Sequence, residues 1–479
     1  MKSILLFLVS LALIGGAGAA RPNMVFILSD DQRFDAMGCA GHPFIVTPTM
    51  DQLAKDGVHF QNAFVTTAIC AASRASILTG MVERSHKYTF GTPPIAREHT
   101  NLSYPGILKR SGYRTGFVGK FGVGIEKGAR EELFDFFEPL GRNPYFKKQP
   151  DGSLRHVSEI TGDRAIEFLQ ECRPDQPFCL SVSFNAPHAE DRDKVNHFPS
   201  PLAVSDLYKD RQMPQPRLAE ASVFNAQPSF LRDSMNRHRW FWRWDTPEKY
   251  DRNLRDYYRM ISGIDGVMGR VLKALDTLGL AENTVVVFMG DNGYYQGNRG
   301  FAGKWSHYED SLRVPMIIKD PRVPAEKRGR KETAMALNLD VAATLLDLAD
   351  LEAPANYQGQ SLLPYVRGER PAKWRKDFFC EHLFDNKDIP KYEGVRGDRW
   401  VYARYFQQDP PFEFLHDLEA DPDQLRNLAG EPAHAEALKK MRQRCNDLRD
   451  SYGGIYSYEK IPTNRWLKAR KAAERASSN

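Results

Sequence analysis

Met24-Val25-Phe26-Ile27-Leu28 is an unbroken apolar run that stops at Ser29-Asp30-Asp31, and Asn283 to Met289 repeats the design ahead of Gly290-Asp291-Asn292-Gly293. Continuous runs of this length predict strands buried on both faces, as in a mostly parallel sheet. Tyr113 to Lys120 and Phe178 to Phe184 predict two more such strands, the second leading into Asn185-Ala186-Pro187-His188. Val58 to Val65 and Arg313 to Ile318 predict shorter ones. Helical periodicity covers Glu159 to Cys172, Asp251 to Leu280, Leu339 to Leu351 and Ala433 to Tyr452, and a short helix starts at Cys70 and closes at Gly80. Residues 189–250 are Pro-rich, polar and aperiodic, which predicts an insertion on the rim of a pocket. From about Ala353 the segments become short, aromatic and alternating, as in Phe378 to His382 and Trp400 to Tyr405; they predict an antiparallel sheet in a smaller α+β subdomain.

The first residues change the address of the chain. Lys2, an apolar run from Ile4 to Ile14 and the small residues Gly16 to Ala20 have the order of a secretory signal peptide. The run is too short to span a membrane, so the expectation is a secreted or periplasmic protein without a stable membrane anchor, starting near Arg21. The 66 basic and 61 acidic residues leave a net charge of +5, too mild for a nucleic-acid partner, and part of the excess crowds the tail after Asn464. Six cysteines in 479 residues do not make a disulfide framework.

In parallel sheets functional groups gather beyond the carboxyl ends of the strands. Two adjacent carboxylates there repel each other unless a cation lies between them. Asp30, Asp31, Asp291 and Asn292 make an all-oxygen set suited to a hard cation such as Ca²⁺. Each pair alone also reads as a turn or a helix cap, and only its repetition favours a metal. Cys70 and Arg74, four apart, lie along one helical face near an N-terminus that favours an anion. Taken alone, that pair reads better as a buried cysteine in an ordinary helix with a solvated arginine.

Further motifs reverse that ranking. Cys70-Ala71-Ala72-Ser73-Arg74 runs on to Leu78-Thr79-Gly80, and Gly112-Tyr113-Arg114-Thr115 runs on to Gly119-Lys120. Asn185-Ala186-Pro187-His188, Asp291-Asn292-Gly293 and Gly303-Lys304 with Tyr308-Glu309 and Arg313-Val314-Pro315 follow in order. Leu415-His416-Asp417-Leu418-Glu419 with Asp421-Pro422 and Asn427-Leu428 closes the series. This set resembles the type I, formylglycine-dependent sulfatases of the alkaline-phosphatase-like superfamily.

The resemblance implies an α/β, alkaline-phosphatase-like sandwich around a large, mostly parallel central sheet, with a smaller C-terminal α+β subdomain on an antiparallel sheet. It divides the chain into a signal peptide (1–20), a catalytic domain (21–352) carrying the 189–250 insertion, the C-terminal subdomain (353–462) and a basic tail (463–479). It implies Ca²⁺ on Asp30, Asp31, Asp291 and Asn292, and a formylglycine made from Cys70 by a formylglycine-generating enzyme. Arg74 would steady the formylglycine hydrate, Lys120, His188 and Lys304 would hold the sulfate, and His188 would protonate the leaving alcohol oxygen. The chemistry is coherent. A thiol attacking sulfur would form an adduct with no easy exit, whereas one hydroxyl of a gem-diol attacks and the other expels sulfate and restores the aldehyde. A cation and fixed donors neutralise the sulfate oxygens meanwhile.

Two positions depart from the family pattern. Ala72 stands where proline is commoner, and Gly122 stands where many members carry a histidine, leaving His86, His307 and His382 as candidates for the missing base. Secretion and the resemblance together imply a sulfated carbohydrate as substrate, with Arg239, Trp242, His382 and Arg396 expected to bind it. The alternatives are a phosphonate or phosphodiester hydrolase of the same superfamily and a non-catalytic sulfated-glycan-binding protein.

Overall fold

The apolar runs form the middle of one eight-stranded sheet. The computed structural model describes residues 21–90 and 92–455; the leader and the basic tail lie outside them. In chain order the strands are β1 (Asn23–Ser29), β2 (Val58–Phe60), β3 (Arg114–Gly119), β4 (Phe136–Pro139), β5 (Phe178–Ser183), β6 (Thr284–Gly290), β7 (Met316–Lys319) and β8 (Arg330–Glu332). Their spatial order is β8-β2-β7-β6-β1-β5-β3-β4. Only β7 runs antiparallel to its neighbours.

Strand pleating explains why β1 and β6 are apolar throughout. Met24, Phe26, Leu28, Val285, Val287 and Met289 enter one core, and Val25, Ile27, Val286 and Phe288 enter the other. On the first side lie the helices Cys70–Thr79 and Asp340–Leu348; on the second lie Val157–Gln170 and Pro247–Thr277. Each fully buried large side chain in such layers contributes about 1.5–3 kcal/mol.

The insertion differs from its sequence reading. It contains the helices Ala221–Asn225, Ser229–Arg232 and Met235–Arg243. The last, with the sequence MNRHRWFWR, has no aliphatic stripe for a periodicity argument to find. Cation–π packing stabilises it instead: the Arg237 guanidinium lies 3.8–4.6 Å from the rings of Phe224, Trp240 and Phe241.

A second sheet, β9 (Asp377–His382), β10 (Tyr392–Gly397), β11 (Trp400–Tyr405) and β12 (Phe412–Asp417), is antiparallel throughout, as the alternating pattern predicts. Phe379, Val395, Tyr402 and Leu415 pack beneath the helix Ala435–Ser451, while Phe378, Cys380, Ala403 and Phe414 join the main core. From the loop after β9, Phe384 and Ile389 pack on Ile69, Ala72 and Trp305, against the start of the Cys70 helix.

Register brings the motifs together. Leu28 pairs with Met289 and with Ser183, and Gly119 pairs with Ser183, so four neighbouring strands end level. Backbone bonds continue past the ends, from Asp30 N–H to Ala186 O (3.1 Å), Asp291 N–H to Ser29 O (3.0 Å) and Lys120 N–H to Ser183 O (2.8 Å). Gly119 makes this possible, since it has φ +97° and a Cβ there would stand 2.0 Å from the Ser183 carbonyl oxygen. Gly119→Ala is expected to destabilise the protein by roughly 2–4 kcal/mol, read by urea unfolding, because it combines overpacking with left-handed strain.

Candidate active site

Beyond the level strand ends, Asp30, Asp31, Asp291, Asn292 and Lys304 are buried within one cluster, with Lys120 at its edge. Lys120 pairs with Asp30 and Lys304 with Asp31, both in very short contacts. The Asn292 amide donates to Asp31 Oδ1 at 2.7 Å, and the Asp31 N–H donates to Asp291 Oδ1 at 3.1 Å. Arg74 donates from Nε to Asp291 Oδ2 (2.8 Å) and from Nη1 to Ser183 Oγ (2.5 Å) and Lys120 O (2.6 Å). Arg74 is therefore buried, not solvated as the pair alone would read, and bridges three strand ends.

Burial acts against every charge here. For Asp30 it opposes ionisation, but Lys120, Arg74 and Lys304 outweigh it and hold the carboxyl below its ordinary value. Asp291 goes the other way, to about 6, through burial and the like charge of Asp30. His188 donates from Nδ1 to Ala189 O at 2.8 Å, which turns Nε2 inward, 3.6 Å from Asp31 Oδ2. Burial, Arg142, Lys304, Lys120 and Arg239 push this imidazole well below its usual range.

Cation-binding capacity shows in the oxygens left over. Asp30 Oδ1, Asp31 Oδ2 and Asn292 Oδ1 are buried without any donor. A buried acceptor without a donor is costly, and three of them side by side fit a bound cation. Asp30, Asp31 and His188 also bring one potential ligand atom each within 4.8 Å of one another.

Cys70 is the first residue of the helix Cys70–Thr79, all ten of whose residues are buried. Its Ile69 cap is apolar and supplies no side-chain acceptor, so the first N–H groups are left for another partner. The thiol is free of any disulfide and lies within electrostatic reach of Arg74, Lys304 and Arg142. Gly122 has φ +67°, and a Cβ there would stand 3.2 Å from Arg74 Cδ. The histidine candidates are engaged elsewhere or enclosed. His86 contacts Ser76 Oγ and accepts the Tyr88 N–H, and His307 lies between Tyr405 and His416. His382 is fully buried on β9 with no partner on either ring nitrogen, and burial and Lys391 push it down to about 3.

Of the expected substrate-binding residues, Arg239 is brought near the cluster, where it influences both Asp31 and His188. Trp242 is 38% exposed, under the Lys194 ammonium. Arg396 donates to Glu309 at 3.0 Å and lies over the Phe64 ring. Neither Trp242 nor Arg396 has a contact with the cluster among the described residues. Sequence reasoning missed Ser183, Arg142 and Asp191. Asp191 pairs with Arg142, Arg239 and Arg243, and although burial opposes its ionisation, the three arginines hold it at about 2. Only its place in the charge-rich run after His188 hints at this role.

The comparisons with known proteins give the family. Residues 22–351 match the family described as Sulfatase, and residues 297–451 match the family described as N-sulphoglucosamine sulphohydrolase, C-terminal. The chain belongs to the sulfatase family. Its activity class is that of a sulfuric ester hydrolase. It is 28% identical to an N-acetylglucosamine-6-O-sulfatase of Bacteroides thetaiotaomicron, over 90% of this chain and 87% of the relative. A solved structure, described as in complex with its substrate D-glucosamine-2-N,6-O-disulfate, superposes with a TM-score of 0.71 at 26% identity, covering 90% of this chain and 98% of that one. A phosphonate monoester hydrolase of Agrobacterium radiobacter superposes with a TM-score of 0.75 over 93% and 100% of the two chains, but at 21% identity that likeness speaks for the fold alone. Among the described residues no helix is long and apolar enough to cross a membrane.

The rim generates a pH-dependent prediction. A depressed carboxyl contributes stability that is present above its unfolded value, near 4, and lost as pH falls through about 2. Asp191→Asn is expected to cost roughly 2 kcal/mol at pH 7, and its gap from the parent protein should close between pH 4 and 2 in unfolding measurements.

Proposed function

We propose that this sulfatase acts on a sulfated carbohydrate, with a formylglycine made from Cys70 as nucleophile and Ca²⁺ held by Asp30, Asp31, Asp291 and Asn292. The observation that carries this reading is the row of unpaired oxygens on Asp30, Asp31 and Asn292 beside a free cysteine at an uncapped helix N-terminus. The similarity to a relative named N-acetylglucosamine-6-O-sulfatase supports the carbohydrate, and the signal-peptide pattern of residues 1–20 supports a secreted or periplasmic enzyme that meets it outside the cytosol.

When present, the cation supplies charge neutralisation and the oxidised residue 70 supplies a nucleophilic oxygen. The chain's own residues do the rest. Lys120 and Lys304 pair with Asp30 and Asp31 and neutralise them, and an anionic ester competes for the same ammonium groups. Arg74, fixed by Asp291, Ser183 and the Lys120 carbonyl, keeps Nη2 unpaired and so has a donor to offer. The Ala189 carbonyl fixes the His188 ring so that Nε2 faces Asp31 and the cluster, within which the ester would lie. Burial and the surrounding cations hold this imidazole well below its usual range. A bound sulfate ester offsets them, so His188 gains the proton it gives to the leaving oxygen in the substrate complex.

In enzyme co-produced with a formylglycine-generating enzyme, Cys70→Ala is expected to lower sulfate release by at least about 10³-fold. Chelation should abolish activity and lower the melting temperature, with Ca²⁺ restoring both, and Asp31→Asn should lose the Ca²⁺-dependent rise in melting temperature. Faster turnover of matched phosphonate monoesters than of sulfate esters would overturn the sulfatase reading. Turnover of aryl sulfates alone would overturn the carbohydrate.

A further inference from the structure

The rim of the cluster holds more positive charge and more unused donors than one sulfate group needs. Three guanidinium groups, from Arg142, Arg239 and Arg243, share the single carboxylate of Asp191. Arg239 is bound only through Nη2, at 3.3 Å from Asp191; its Nε and Nη1 are buried and have no acceptor. Leaving such donors unpaired costs about 1–3 kcal/mol each, so a site that keeps them is built for a partner. Nε–H and Nη1–H lie on different edges of the guanidinium, so each offers a separate charged donor to an oxyanion such as a carboxylate or a sulfate. Beside them, 4.8 Å below the guanidinium, lies the Trp305 ring, whose indole N–H is also buried and unpaired.

These donors are fixed to the reaction centre through the backbone. Trp305 follows Lys304, and Asn236, one turn before Arg239 on its helix, donates to the Lys304 carbonyl at 2.5 Å. Arg142 donates to the Ala189 carbonyl that also holds His188. A ligand on Arg239 therefore sits alongside the group on Lys304 and His188, not in a separate pocket.

We propose that Arg239, supported by Arg142 and Trp305, is a specificity-determining residue that binds a second anionic group of the substrate, a carboxylate or another sulfate, next to the ester that is cleaved. The inference rests on the sulfate-ester reading of the site and adds to it that the preferred substrate is at least doubly anionic. Asp191 positions the Arg239 guanidinium through Nη2 and does not neutralise it, since one carboxylate serves three arginines.

The test is calorimetric titration of the catalytically inert Cys70→Ala protein, loaded with Ca²⁺, with glucosamine 6-sulfate, glucosamine N,6-disulfate and a 6-sulfated disaccharide carrying a uronate. At least one second anion is expected to tighten binding tenfold or more over the monosulfate; the disulfate arm reports a sulfate partner and the uronate arm a carboxylate. Adding Arg239→Gln should remove most of that gain while weakening the monosulfate by a smaller factor. Arg239→Lys, which keeps the charge without the guanidinium donors, should retain part of it. In the active enzyme the same substitutions should raise KM for the dianionic substrate more than they lower kcat. No gain from either second anion, or equal weakening of all three ligands in both variants, would overturn the proposal. Absence of sulfate release from every ester by the parent enzyme would instead overturn the hydrolase reading, and the binding comparison would still decide the role of Arg239.

Discussion

Charge balance in a dry place governs this molecule. Asp30, Asp31 and Asp291 are buried within one cluster, and Arg74, Lys120 and Lys304, also buried or nearly so, balance them. Removing either side would leave uncompensated buried charge, which is far more costly than losing an exposed pair. Yet the balance is incomplete in its hydrogen bonds, with oxygens of Asp30, Asp31 and Asn292 and Nη2 of Arg74 left over. A set that is neutral but unsatisfied on both signs can accept a cation on its oxygens and an anion on its donors together. That pairing is what a metal-assisted attack on a sulfate ester requires.

Everything else in the fold serves to hold that set level. Parallel pairing of β1 with β5 and β6, and of β5 with β3, brings four strand ends to one edge. Arg74 ties three of those ends together from a helix that is itself buried on all sides. The antiparallel sheet contributes packing: Phe384 and Ile389 from its first loop press on Ile69, Ala72 and Trp305, which fixes the start of the Cys70 helix and the segment after Lys304. The insertion helix grips the same segment through Asn236.

Much of this was legible in the residues. Unbroken apolar runs and the polar pairs that end them placed β1, β5 and β6 and pointed to the edge where the cluster forms. Short edge strands escaped, because Phe136–Pro139 and Arg330–Glu332 are too brief to carry a pattern. Residue type alone also misjudged partners. Arg396 and Arg239 look alike in sequence, but a carboxylate on Glu309 occupies the first, while the second keeps two free donors. Asp191 and Ser183 have no motif of their own, since their importance comes from what the fold sets against them. Gly122 lies in left-handed backbone with Arg74 Cδ 3.2 Å from where a Cβ would stand, so a side chain there is disfavoured and would press on Arg74.

The account depends most on what residue 70 becomes. Peptide mass spectrometry across Cys70, on protein made in a host that carries a formylglycine-generating enzyme and shown to release sulfate, reads it directly. Active protein is expected to carry the aldehyde at residue 70 in proportion to its activity. Full activity in protein whose residue 70 is only the unmodified thiol would contradict it.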